Sequence, residues 1–83
     1  MKLNILYFSW VRERVGHSQE IVETEAVTVM DLVVDLTLRG AGYELAFADI
    51  GAICVAVDQE LSDFSTPLKD GCEVAFFPPM TGG

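Results

Sequence analysis

Positive charge is scarce in this sequence. Five Lys and Arg stand against thirteen Asp and Glu, a net charge of −8 over 83 residues. Nucleic acid and anionic membranes are bound by clustered Lys and Arg, so neither is an expected partner. The acidic balance fits a solubilising surface or steering toward a basic partner protein, and composition leaves both open. The one histidine, His17, follows Gly16 where a turn is expected, a poor setting for a ligand or a base. The two cysteines, Cys54 and Cys72, lack the close spacing of a metal site, so no metal is expected on this chain. Long apolar runs are missing too. Leu3 to Phe8 is too short for a membrane span or an export signal and is soon followed by charge. A cytoplasmic chain is expected, with both cysteines as reduced core thiols.

What is present is a hydrophobic fraction of 51%, ample for one small core. A chain of this size buries only about 60% of the surface of its unfolded form. Residues 1–83 therefore read as a single domain, with 78–83 as a flexible tail. Such a domain has no room for both a substrate pocket and a cofactor fold, which argues against an independent enzyme. The apolar surplus points to a partner surface.

Short apolar segments rich in strand formers predict strands at Leu3–Phe8, Gln19–Thr24, Ala52–Val57 and Glu73–Phe77. The continuous apolar run in the third predicts burial on both of its faces. A short edge piece is expected over Leu61–Phe64, after a turn at Asp58-Gln59. Ser9 is the expected cap of a helical turn, Trp10–Val15, ended by Gly16. Thr28 and Asp31 form a capping-box pattern ahead of Val29, Leu32, Val33 and Leu36, which recur at helical spacing. That helix should stop near Arg39, before Gly40 and Gly42, and Tyr43–Asp49 should form another short one. Pro67 to Gly71 reads as a turn. The order of elements gives a mixed sheet with one main helix on one face, an α+β arrangement of the ubiquitin-like type.

Alternation along the first and last strands sets Phe8 and Phe77 apart. Leu3, Ile5 and Tyr7 share one face, as do Val74 and Phe76, while Phe8 and Phe77 fall on the more polar side. Their rings either tuck under short elements or form an apolar docking patch, and the pairing of the two strands stays open at this point.

Beyond Phe77 the sequence reads Pro78-Pro79-Met80-Thr81-Gly82-Gly83. Prolines favour an extended exit, and six extended residues reach roughly 20 Å, enough to enter another protein's active site. Glycines lack Cβ atoms, so the end can thread a narrow channel. The terminal carboxylate, with a pKa near 3.5, is ionised and inert until activated, for instance as an anhydride with AMP. A sulfur donor displacing AMP would leave a thiocarboxylate. Taken alone, two terminal glycines also fit a frayed end.

The segment from Glu73 to Gly83, preceded by Pro67-Leu68-Lys69-Asp70-Gly71, closely resembles the end of molybdopterin synthase small subunits. Leu6-Tyr7-Phe8, Val11-Arg12-Glu13 and Val15-Gly16 resemble the same family. The resemblance implies a β-grasp sulfur carrier that binds no cofactor itself. It further implies an adenylyltransferase, similar to ubiquitin-activating enzymes, that uses ATP to activate Gly83. A sulfur-transfer protein would then form the thiocarboxylate. The tail, Pro78, Pro79, Met80, Thr81 and Gly82, would insert into a large synthase subunit, and Phe8 and Phe77 would contact the partners. Two such sulfurs delivered to cyclic pyranopterin monophosphate would build the molybdopterin dithiolene, in an assembly of two large and two small subunits. Met80, where the family often has a smaller aliphatic residue, and Asp58, where Asn is frequent, are mild departures.

Three other readings remain at this stage: a thiamine-type sulfur carrier, a modifier attached to lysines through Gly83, and a non-covalent binding module. Thiamine carriers usually lack the double proline. Lys2 and Lys69 are the only lysines available for self-conjugation.

Overall fold

The computed structural model describes residues 1–79. The elements are β1 (Lys2–Tyr7), α1 (Ser9–Val15), β2 (Gln19–Glu23), α2 (Val29–Thr37), α3 (Ala41–Ala46), a 3-10 turn (Ile50–Ala52), β3 (Cys54–Val57), β4 (Glu60–Ser62) and β5 (Glu73–Phe77). The strands form one sheet in the order β2-β1-β5-β3-β4. The central strands β1 and β5 run parallel, with Tyr7 level with Phe76, and every other pairing is antiparallel.

The core lies between one sheet face and the helices. Leu3, Ile5, Tyr7, Val22, Val55, Val74 and Phe76 come from the sheet, and α2 adds Val29, Leu32, Val33 and Leu36. The Phe76 ring stacks on Tyr7 at 6.3 Å and meets Phe47 edge-on at 4.9 Å. The capping box at α2 is present as expected. Thr28 Oγ1 accepts from the Asp31 amide, and the Asp31 carboxylate accepts from the Thr28 amide. Such a cap stabilises a helix by about 1 kcal/mol.

Several local expectations need correction, among them the second short helix, which is α3 over Ala41–Ala46 with Gly42 inside it and not Tyr43–Asp49. Phe8, not Ser9, occupies the N-cap of α1, and no side chain caps that helix. Ser9 is already helical in position and takes φ 54, a left-handed value that turns the chain sharply off β1. β3 is not covered on both faces: Val55 is buried, but Cys54 and Ala56 are half-exposed. Cys54 is thus only partly a core thiol, whereas Cys72 is buried, and both are free. The edge piece begins earlier than expected because Asp58 and Gln59, at φ 50 and 69, make a tight two-residue turn between β3 and β4.

Gly42 marks a close approach of α3 to α1. A Cβ there would sit 2.5 Å from the Arg14 carbonyl oxygen and 3.5 Å from that of Val15. Both obstacles are backbone, so Gly42→Ala should destabilise the protein by about 1–3 kcal/mol, measured by urea unfolding.

A carboxylate joins the two tyrosines of the chain. Glu20 Oε2 accepts from Tyr7 Oη at 2.8 Å and from Tyr43 Oη at 2.7 Å, linking β2, β1 and α3. Burial, then the bond to Glu20, raises the pKa of both phenols, that of Tyr43 to about 12. Because the folded values lie above the unfolded value near 10, stability should hold below about pH 10 and fall as pH climbs toward 12. In Glu20→Gln the Tyr43 titration, followed by tyrosinate absorbance, should move back toward 10.

Candidate functional site

The two aromatics singled out in the sequence come together. Parallel pairing puts the C-terminal ends of β1 and β5 side by side, and the Phe8 amide donates to the Phe76 carbonyl oxygen at 3.0 Å. Phe8 therefore lies beside Phe77, on the face opposite the buried Tyr7 and Phe76 rings. Phe8 is 47% exposed and Phe77 is half-buried. Among the described residues no helix covers this face.

The registers extend the patch beyond those two rings. Cys54 pairs with Phe77, Leu6 with Ala75, Ala75 with Ala56, and Ala56 with Leu61. Alternation places all of these on the uncovered face. A row of small and apolar side chains thus runs from Leu6 to Leu61, which is 78% exposed, with the aromatic pair at one end. Polar groups, Asn4, Gln19 and Glu73, stand around it. An apolar centre with a polar border is the anatomy of a protein-docking surface.

Sequence reading missed Leu61, Ala56 and Cys54 as members of this face. Leu61 carried a usable signal, an apolar residue in an edge strand one step beyond a tight turn, but its partner strand was not known.

The chain leaves the sheet directly from this patch. Pro78 is half-buried and Pro79 exposed, both next to Phe77 in sequence. Met80, Thr81, Gly82 and Gly83, expected as the inserted end and its carried position, lie outside the described residues. His17 is exposed in the turn after α1. Among the described residues no cluster of His, Cys, Asp or Glu is arranged to hold a metal ion.

A mixed sheet wrapped around one main helix, with the last strand central, places the chain in the ubiquitin-like β-grasp class. A putative molybdopterin converting factor subunit 1 from Pyrococcus furiosus superposes with a TM-score of 0.80 at 27% identity, over 96% of this chain and 99% of that one. A similar fold occurs in the protein-protein complex of subunits 1 and 2 of molybdopterin-converting factor from Helicobacter pylori. There the TM-score is 0.69 and the identity 24%, with both chains fully covered. Within that class, the chain belongs to the ThiS family, which it matches over residues 5–83. The molybdopterin synthase sulfur carrier subunit of Escherichia coli K12 is 42% identical over 98% of this chain and 99% of its own length.

Proposed function

We propose that this chain is the sulfur-carrier small subunit of molybdopterin synthase, with Gly83 as the position that bears the sulfur. The observation that carries this reading is the parallel β1–β5 pairing. It sets Phe8, Phe77 and the Pro78-Pro79 arm together at one end of an uncovered apolar face. A partner held on that face receives the arm at a fixed point. The curated relative from Escherichia coli, at 42% identity, supports the pathway.

In this reading an adenylyltransferase uses ATP to convert the Gly83 carboxylate to the acyl adenylate, releasing pyrophosphate. Sulfide-level sulfur supplied by a sulfur-transfer protein attacks the acyl carbon and displaces AMP, which leaves a thiocarboxylate. The large synthase subunit takes the Phe8–Phe77 face, and Pro78, Pro79, Met80, Thr81 and Gly82 extend into its active site. The thiocarboxylate sulfur bonds to a side-chain carbon of cyclic pyranopterin monophosphate as an oxygen substituent leaves that carbon. Water cleaves the acyl–sulfur bond of the resulting thioester, so the sulfur stays on the pterin and the tail departs as a carboxylate for reloading. Two deliveries complete the dithiolene, consistent with two small subunits on two large ones. The catalytic groups belong to the partners, and Gly83 is a carried substrate. The assembly works in the cytoplasm. Among the described residues no helix is long and apolar enough to cross a membrane.

The match to the ThiS family also favours a second reading, the same chemistry feeding thiamine thiazole. One experiment separates them. Thiocarboxylated protein is mixed with the large synthase subunit and the pterin precursor. Formation of the dithiolene supports the molybdopterin reading, and an intact thiocarboxylate after prolonged incubation contradicts it.

A further inference from the structure

The sheet face does not account for all of the exposed apolar surface. Val27, Met30, Val34 and Leu38 are exposed by 65%, 37%, 50% and 81%, and all four belong to the α2 region on the other side of the molecule. At about 100° per residue, positions 30, 34 and 38 share the side of the helix turned away from buried Val29, Leu32, Val33 and Leu36. Val27 extends the same stripe ahead of the Thr28 cap. This helix is therefore apolar on two opposite sides, where a surface helix needs only one.

Acid borders the stripe. Asp31 and Asp35 flank it, and beyond them opens a cleft of about 520 Å³ whose walls also carry Glu23 and Glu25. Two cations share the cleft and both are engaged. The Met1 amine bonds the Thr24 carbonyl at 2.9 Å and lies 3.8 Å from Glu23. Arg39 bonds Asp35 at 3.2 Å and the Glu23 carbonyl at 2.8 Å. Among the described residues the Asp31 carboxylate accepts from the neutral amides of Val27 and Thr28 and pairs with no cation. Four carboxylates against two cations leave the border negative.

A second copy of the chain is a poor occupant. The stripe offers on the order of 400 Å² per copy, about half of what each partner of a stable interface buries. Pairing would also bring two chains of charge −8 together. A basic partner avoids the charge obstacle and can add to the stripe by pairing with the acidic cleft beside it, which a second acidic copy cannot.

We infer that the outer side of α2, with Val27, Met30, Val34, Leu38 and the acidic cleft beside them, is a second docking surface. Its occupant is an amphipathic helix of a partner protein whose apolar side is bordered by Lys or Arg. The surface lies across the core from Phe8 and Phe77, so it stays open while the sheet face is occupied. The binding itself does not depend on the proposed sulfur chemistry.

The test uses the full chain, labelled for NMR, and a synthetic amphipathic helical peptide built of Leu and Lys, with a Leu and Glu peptide as comparison. The Lys peptide should shift the amide signals of residues 23–25 and 27–38. Val34→Glu with Leu38→Glu should weaken its binding at least tenfold at an unchanged melting temperature, because both side chains are exposed. Phe77→Ala should leave it unaltered, which separates this surface from the sheet face. Shifts confined to Phe8, Leu61 and Phe77, equal binding of the Glu peptide, or no binding of either would overturn the inference. So would self-association of the free chain that the double variant abolishes, since the occupant would then be a second copy.

Discussion

Deletion of Gly83 is expected to abolish sulfur transfer while leaving folding and docking nearly intact. Among the described residues the elements of the sheet and core end at Phe77, and the docking face is built from β1, β3, β4 and β5. Removing the last residue takes nothing from either. It does shorten the reach of the tail by about 3.5 Å, so the remaining carboxyl stops short of the place where activation occurs. Misplacement of a reacting group by only 1 Å can cost about 100-fold in rate, so a shift of this size should bring loading and delivery to background. The checks are single-turnover formation of the dithiolene, a thermal melt, and titration of the large subunit. Activity surviving in the truncated chain would mean that Gly83 does not carry the sulfur.

Phe77→Ala carries the second large effect and reverses the pattern, leaving the Gly83 carboxyl in place but impairing docking. An aromatic anchor of an interface contributes about 2 kcal/mol or more, which is about 30-fold in Kd. The free chain should tolerate the change better than it tolerates loss of its neighbour. Phe76 is fully buried against Tyr7 and Phe47, and truncating such a ring costs about 3–5 kcal/mol of stability. Phe77 is only half-buried on the opposite face. Titration calorimetry with the large subunit, beside urea unfolding of the free chain, separates the two effects. A stability loss as large as that of Phe76→Ala, with affinity unchanged, would make Phe77 a core residue.

Much of this arrangement is legible in the residues because local and long-range signals agree. The capping pair Thr28 and Asp31, the helical spacing of Val29 to Leu36 and the strand Glu73–Phe77 all appear where the pattern puts them. Alternation alone identified the side to which Phe8 and Phe77 belong. It did not reveal that they are neighbours, because strand order is set by the packing of the whole sheet. The parallel β1–β5 pair supplied that fact.

The misreadings have physical causes as well. Ser9 is a good capping residue by type, but the chain must turn off β1 immediately, and Ser9 takes up that turn through a left-handed φ. The small apolar run around Cys54 and Ala56 reads as doubly covered, yet among the described residues its second face is apolar and only half-buried. Val34 and Leu38 were invisible to periodicity for a similar reason, because the core stripe of α2 is complete without them. In both places the departures from a simple inside-outside pattern coincide with surfaces offered to other proteins.

The central claim is that Gly83 carries sulfur, and intact-mass measurement tests it most directly. The protein is incubated with its adenylyltransferase, ATP and a sulfur donor, then weighed and fragmented. One oxygen-to-sulfur exchange located at Gly83 is the predicted result. An unchanged mass under conditions that load a known carrier, or an exchange located elsewhere in the chain, would contradict it.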